Sequence, residues 1–202
     1  MMRVGLLVSG SGTNLQAILE AAAQGDLNPA LPALVISNRP DAPALERARR
    51  AGIETLVVDH RPFLRRADFD RALTRALRQH QIDLVALAGF MRIVGPELLS
   101  AFPDRVVNIH PSLLPSFPGL HAQRQALLYG AKISGCTVHF VDDGIDSGPI
   151  IAQAAVEVQP HDDEAALSAR ILAQEHLLYP RVLRALAEGR VHRDGRRAWI
   201  RP

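Results

Sequence analysis

Short apolar runs alternate with helical periods through the first half of the chain. Five runs have the length and composition of strands buried in a parallel sheet: Val4–Val8, Ala33–Ser37, Glu54–Val58, Asp83–Ala88 and Val106–His110. Between them, apolar spacing predicts helices that begin near Leu15 and that cover Pro43–Ala51 and Arg66–Gln81. This alternation indicates an α/β fold, an open and mainly parallel sheet with helices on both faces.

The pattern changes near residue 111. A loop rich in proline and glycine leads to a short helix (Gln123–Tyr129) and to two strands, Gly135–Val141 and Ile150–Val158, on either side of an acidic turn. Strands joined so closely predict an antiparallel pair, so the C-terminal half adds an antiparallel strand to the sheet. A long helix over Asp163–Glu188 and a hairpin over Val191–Ile200 follow. No linker interrupts the pattern, and we expect one domain, 1–202.

Composition narrows the class of protein. Of 202 residues, 48% are hydrophobic and 22% are charged, which is typical of a globular protein that buries a full core. Cys136 is the single cysteine, which excludes an internal disulfide framework and fits a reducing cytoplasm. The net charge is only +2, no basic run is dense, and no apolar run is long enough to span a membrane. We therefore expect small-molecule substrates rather than nucleic acid or membrane partners.

Two polar side chains close the strand Val106–His110. Asn108 and His110 are two residues apart, so they point to the same side of an extended chain, and Pro111 then ends the strand. Ligands of parallel α/β sheets bind outside the carboxyl ends of the strands. The pair is our candidate catalytic centre, and the alternative is that His110 is a satisfied structural histidine.

A glycine-rich turn follows the first strand. Ser9–Asn14 leads from strand to helix, where free backbone N–H groups and the positive helix end suit a phosphate. The motif for dinucleotide binding is incomplete. It requires a third glycine near Leu15 and an acidic residue after the second strand, and the chain has Asn38 and Arg39 after that strand. A tight turn that binds nothing remains the alternative.

Asp146 in the acidic turn supplies a carboxylate for the candidate centre. An amide beside an imidazole can hold a developing oxyanion, and a nearby carboxylate favours the protonated imidazole, so the three suit acyl transfer. A cation bound by Asp142, Asp143 and Asp146 is the alternative, but their spacing is not that of a calcium loop. No Gly-x-Ser-x-Gly motif supports a serine nucleophile. The apolar loop Gly89–Ile93 forms either a slot for a flat ring or a simple cap on the core.

Four motifs, in this order and at this spacing, closely resemble the phosphoribosylglycinamide formyltransferase family of folate-dependent enzymes: Ser9–Leu15, Ala88–Ile93, Asn108–Pro115 and Asp146–Pro149. The resemblance covers essentially the whole chain and implies a Rossmann-like sheet. It also implies transfer of the formyl group of 10-formyltetrahydrofolate, a co-substrate, to the amine of 5'-phosphoribosylglycinamide in purine synthesis. No metal is implied, and the expected assembly is a monomer or a homodimer.

The resemblance also implies roles for individual residues. The catalytic three would be Asn108, His110 and Asp146. The first half, 1–110, would bind the nucleotide and the second, 111–202, would cover the folate. Implied contacts to glycinamide ribonucleotide are Gly12, Thr13, Asn14, Gln174 and Glu175. Implied contacts to folate are Arg66, Met91, Arg92, Ile93, Val94, Asn108, Val141, Asp142, Asp143, Gly144, Ile145 and Asp146.

Three other functions remain open from sequence alone. In 10-formyltetrahydrofolate hydrolases water replaces the amine, but those enzymes carry an added N-terminal regulatory domain, whereas the first strand here begins at Val4. Methionyl-tRNA formyltransferases append a C-terminal RNA-binding domain, whereas this chain stops at Pro202. A non-catalytic module that senses nucleotides through the glycine loop alone is the alternative of a different class.

Overall fold

A seven-stranded sheet forms the centre of the protein. The computed structural model describes residues 1–202. The strands of this sheet are β1 (Met2–Val8), β2 (Ala30–Ser37), β3 (Thr55–Val57), β4 (Leu84–Leu87), β5 (Val106–His110), β6 (Ile133–Phe140) and β7 (Ile150–Glu157). Their spatial order is β3-β2-β1-β4-β5-β6-β7. β2 and β3 are therefore added on one side of β1, and β4 and the later strands on the other side. In such sheets this change of side opens a crevice at the carboxyl ends of the two strands where it occurs, here β1 and β4.

Strand directions agree with the predicted fold class. The pairs β1–β2, β1–β4, β2–β3 and β4–β5 are parallel, while β6 is antiparallel to both β5 and β7. A separate two-stranded antiparallel sheet, β8 (Val191–Asp194) with β9 (Arg197–Ile200), is the predicted hairpin. The prediction of a Rossmann-like, mainly parallel sheet with an antiparallel strand in the second half is confirmed.

Six helices cover the two faces of the sheet. They are α1 (Thr13–Gln24), α2 (Pro43–Arg50), α3 (Arg66–Gln79), α4 (Pro96–Ala101), α5 (Ala122–Tyr129) and α6 (Glu164–Ala187). The sequence pattern did not predict α4, because its six residues are too few to display a helical period. None of the helices has the length and apolar character that crossing a membrane requires.

The core consists of two apolar layers, one on each face of the sheet. The larger layer packs α1 and α6 against the sheet and contains Leu6 of β1; the smaller packs α3 and α4 and contains Leu7. Successive strand side chains point to opposite faces, so a continuous apolar run is what a strand buried on both faces needs. This packing fixes the carboxyl ends of β1, β4 and β5 along one edge.

Helix α6 is tied to that edge by Tyr179. Its fully buried hydroxyl lies 3.0 Å from the Leu87 carbonyl oxygen and 3.2 Å from that of Val107, so it donates to the backbones of β4 and β5. The helix starts at Asp163, whose side chain accepts from Ala166 N at 2.7 Å, and continues as one helix past Pro180. Tyr179 thereby sets which residues one turn earlier face the glycine-rich turn.

Candidate active site

His110 and Asp146 are in contact at the carboxyl end of β5. His110 Nδ1 lies 3.2 Å from Asp146 Oδ2, and His110 Nε2 lies 2.9 Å from the Phe117 carbonyl oxygen. Only 5% of His110 is exposed. Both ring nitrogens of His110 therefore face acceptor oxygens, and these two contacts fix the orientation of the ring. The acidic turn therefore does reach the strand end, as expected.

The backbone at Asp146 adopts a left-handed conformation, with φ near 50°. Such a φ is uncommon for residues other than glycine, although Asp tolerates it better than most. The conformation brings the carboxylate back towards the loop after β5, where Oδ2 also accepts from Gly119 N at 2.8 Å. A strained residue held at a candidate site indicates that the position of this carboxylate is over-determined by its surroundings.

Asn108 contacts a second histidine that the sequence analysis missed. In the antiparallel ladder Asn108 of β5 lies opposite His139 of β6, and Asn108 Nδ2 is 3.3 Å from His139 Nε2. His139 Nε2 also lies 3.7 Å from Asp146 Oδ1. The four side chains Asn108, His110, His139 and Asp146 therefore form one polar cluster, and the register of β6 was the information that the sequence lacked.

His139 serves this cluster as a neutral ring. It is 2% exposed, and burial lowers its pKa. Its Nδ1–H donates to the Phe140 carbonyl oxygen at 2.8 Å, so Nε2 is left as an acceptor for the Asn108 amide. One amide N–H of Asn108 is thus held by His139, and this fixes the orientation in which the other N–H faces the cavity.

A cavity of about 70 Å³ opens beside the polar cluster. It is lined by Leu87, Arg92, Ile93, Val94, Asn108, His139, Val141, Asp142, Gly144, Ile145 and Asp146. Nine residues expected to contact folate are in this set. Arg66, Met91 and Asp143 are not in the lining; Arg66 begins α3, Met91 is 71% exposed in the loop after β4, and Asp143 is exposed in the acidic turn.

Roomier depressions lie elsewhere on the surface. One of about 450 Å³ is beside Met1 and Asp83 at the opposite end of the strands, and one of about 430 Å³ runs between α1 and α6. Neither contains the polar cluster. Volume alone therefore does not identify the site, whereas convergent polar groups beside apolar walls do.

The glycine-rich turn has the geometry of an anion site. Gly12 is the N-cap of α1 with φ 73° and no side-chain cap, and a Cβ there would lie 2.6 Å from the Ala44 Cβ. Glycine is thus required at this position by conformation and by space. The first turn of α1 contains no acidic residue, so its N–H groups, beginning at Thr13 and Asn14, present positive potential.

Glu175 lies against this turn. Asn14 Nδ2 donates to Glu175 Oε2 at 2.7 Å, although the two residues are 161 positions apart. Glu175 is 6% exposed, and burial raises its pKa. Gln174 precedes it in α6 and is half-buried. The structure thus brings Glu175 to the expected nucleotide contacts Gly12, Thr13 and Asn14.

Arg47 is a second residue that the sequence analysis missed. From α2 its Nε donates to the Ser11 carbonyl oxygen at 2.8 Å, and it lines a cavity of about 280 Å³ together with Thr13 and Gln16. The guanidinium therefore braces the glycine-rich turn and adds a positive charge next to it. Its position on an arginine-rich helix gave no signal in the sequence.

The acidic turn is braced internally. Asp142 Oδ1 accepts from Ser147 Oγ at 2.6 Å and from Gly144 N at 3.2 Å. No group of three or more His, Cys, Asp or Glu side chains is arranged to hold a metal ion. The contacts of Asp142 and Asp146 are thus with the chain itself.

A protein-family model matches most of the chain. A model described as "Formyl transferase" matches residues 2–183. The chain belongs to the formyl transferase family. The family predicted from the four motifs is thereby confirmed.

Several named proteins are similar to this formyl transferase. It is 45% identical to the phosphoribosylglycinamide formyltransferase of Escherichia coli over 199 residues, 98% of this chain and 93% of that protein. It is 51% identical to the trifunctional purine biosynthetic protein adenosine-3 of Drosophila melanogaster over 190 residues, 93% of this chain but only 14% of that longer protein. The crystal structure of glycinamide ribonucleotide transformylase 1 from Symbiobacterium toebii superposes with a TM-score of 0.98 at 55% identity, covering 100% of this chain and 95% of the other.

Proposed function

We propose that this formyl transferase moves the formyl group of 10-formyltetrahydrofolate to the amine of 5'-phosphoribosylglycinamide, giving formylglycinamide ribonucleotide and tetrahydrofolate in purine synthesis. The observation that carries the proposal is the 3.2 Å contact between His110 Nδ1 and Asp146 Oδ2 beside the Asn108 amide. The names of the relatives agree with this reaction.

Asn108 and His110 stabilise the negative charge of the reaction. When the amine lone pair attacks the formyl carbon, the carbonyl electrons move to the formyl oxygen, and N–H donors aimed at that oxygen lower the barrier. Asp146 holds the His110 ring in its protonated form and orientation. The new C–N bond forms first and gives a tetrahedral intermediate. The proton that the attacking amine loses passes, with the help of Asp146, to the folate nitrogen. The oxyanion then re-forms the C=O bond, and the C–N bond to folate breaks.

The two halves of the chain divide the substrates between them. In this proposal Gly12, Thr13 and Asn14 bind the ribose phosphate through backbone N–H groups, and Glu175, with Gln174, binds the ribose hydroxyls. In this division the first half (1–110) binds the nucleotide and the second half (111–202) covers the folate. Gln174 and Glu175 of the second half reach the nucleotide, and residues 66 and 91–94 of the first half reach the folate.

The folate contacts come from three segments. Arg92, Ile93 and Val94 line the cavity together with residues of the turn 141–146. In this proposal Arg66 and Met91, which are outside the lining, also contact the folate. The exposed apolar side chains Met91, Ile93 and Ile145 suit an aromatic ring, and the arginines suit its acidic tail. We propose no metal in the reaction, a monomer or homodimer as the working unit, and action in the cytoplasm.

The decisive experiment is a formyl-transfer assay that offers three acceptors in parallel: glycinamide ribonucleotide, water and charged initiator tRNA. Turnover with glycinamide ribonucleotide alone is the expected result. Release of formate without an acceptor would indicate a hydrolase, and binding of nucleotide with indifference to 10-formyltetrahydrofolate would indicate a sensor module. The purified chain with 10-formyltetrahydrofolate and each acceptor suffices for this assay.

A further inference from the structure

The loop Gly89–Gly95, which follows β4, is held at its backbone from two directions. At its start, Ser9 N donates to the Gly89 carbonyl oxygen at 3.1 Å, and Met91 N donates to Ser9 Oγ at 2.8 Å. At its end, Gly95 N donates to Asp70 Oδ2 at 2.7 Å. The first anchor comes from the end of β1 and the second from α3, so the loop is clamped between two separate elements.

Asp70 is an unusual residue to hold a loop, because it is charged and fully buried. It is a carboxylate with 0% exposure, and burial raises its pKa, while the Gly95 N–H and the charge of Arg66 act in the opposite direction. Its other oxygen, Oδ1, makes no hydrogen bond within the chain. A buried carboxylate with incomplete pairing lowers stability, and its presence therefore favours a role other than stabilisation.

The approach of Asp70 to the loop depends on the residue at position 95. A Cβ on Gly95 would lie 2.6 Å from Asp70 Oδ2 and 3.1 Å from Arg66 Nε. Gly95 has φ −114°, which any residue can adopt, so glycine is needed here for space and not for conformation. The contact between Asp70 and the loop is thus closer than any other residue at position 95 would allow.

The side chains between the two anchors face the proposed folate cavity. Arg92, Ile93 and Val94 line it, and the Arg92 guanidinium carbon lies 5.3 Å above the ring of Phe69, the residue before Asp70. Neighbouring residues of α3 therefore hold the loop backbone and the arginine that it carries. A small displacement of such a loop is enough to weaken a bound ligand, because its contacts depend on geometry at the ångström scale.

We propose that Asp70 is a positioning residue for the folate substrate, acting through Gly95 N to set the backbone of the loop that supplies Arg92, Ile93 and Val94. Asp70 itself lines neither the cavity nor the nucleotide site. The inference rests on the proposed function, since it assigns this loop to folate.

The test compares Asp70→Ala and Asp70→Asn with the wild type. A hydrogen bond to a charged group is among the stronger ones, so Asp70→Ala should raise KM for 10-formyltetrahydrofolate about tenfold, with KM for glycinamide ribonucleotide and kcat within about twofold. Asp70→Asn keeps an acceptor for Gly95 N and should recover most of the loss. Asp68→Ala is the matched control: it removes a carboxylate from the same helix, but one that pairs with Arg65 and Arg71 and not with the loop.

Equal increases in both KM values, or the same effect from Asp68→Ala, would overturn the inference, because a general loss of structure would produce them. If Asp70→Ala does not fold, Ser9→Ala removes the side-chain bond of the other anchor, the one that Ser9 Oγ accepts from Met91 N. Calorimetric titration with tetrahydrofolate should then show weakened binding. Unchanged tetrahydrofolate affinity in Ser9→Ala would count against the clamp. Failure of the wild type to transfer formyl groups would refute the proposed function, whereas an active wild type with normal folate KM in Asp70→Ala refutes the positioning role alone.

Discussion

Replacing Asp146 by asparagine removes a charge from the cluster with little change of shape. At the 3.2 Å that separates His110 Nδ1 from Asp146 Oδ2, a carboxylate and an imidazolium attract each other by about 5 kcal/mol at an effective dielectric constant near 20. The Asp146 side chain is only 15% exposed, so solvent screens this attraction weakly. An asparagine still accepts one hydrogen bond, which recovers part of the energy.

The expected loss follows from that energy. Since about 1.4 kcal/mol corresponds to a factor of ten, Asp146→Asn should lower kcat for formyl transfer by about 100- to 1,000-fold, with a much smaller effect on either KM. Steady-state kinetics at saturating concentrations of both substrates measure this. Asp194→Asn, the same chemical change at an exposed residue of β8, serves as control. A kcat for Asp146→Asn within about threefold of the wild type would refute the role of the ion pair.

Two other substitutions test the elements that support the site. Glu175→Gln should raise KM for glycinamide ribonucleotide about tenfold without changing the folate KM; an unchanged nucleotide KM would remove Glu175 from the nucleotide site. Because burial raises the pKa of Glu175, the native state holds this proton to higher pH than the unfolded chain does, so wild-type stability should fall as pH rises through the raised pKa. The Gln variant should lack that decline in thermal melts between about pH 4 and 8. Tyr179→Phe should destabilise the fold by about 1–3 kcal/mol in urea titrations, since the Leu87 and Val107 carbonyls lose a buried donor. No change in the unfolding midpoint would contradict that bond's importance.

Asn108 and His110 of the candidate site were predictable because their relation is local. The two-residue spacing of Asn108 and His110 in a strand is enough to place both on one side, and Pro111 marks the end of β5. Apolar runs likewise predicted all seven strands of the main sheet, with differences of at most three residues at their ends. Both the spacing of two side chains in a strand and the length of an apolar run are determined by a few neighbouring residues.

What the sequence could not provide depends on distant pairing. His139 reaches Asn108 only through the register of β6 on β5, and a shift of one residue would have turned it to the other face. Glu175 became a buried partner of Asn14 because α6 packs beside α1, a contact across 161 residues. Asp70 resembles any helix carboxylate until α3 is placed against the loop after β4. Spacing along the chain predicts none of these contacts, because each depends on how distant elements pack.

In the proposed reaction the Asn108 amide and the protonated His110 ring stabilise the negative charge on the formyl group during its transfer. The most direct test is single-turnover formyl transfer by His110→Ala, measured together with tetrahydrofolate binding by calorimetry. We expect the single-turnover rate of His110→Ala to be lower than that of the wild type by a factor of about 1,000 or more, with folate affinity within about threefold of the wild type. A single-turnover rate close to that of the wild type, with folate still bound, would contradict it.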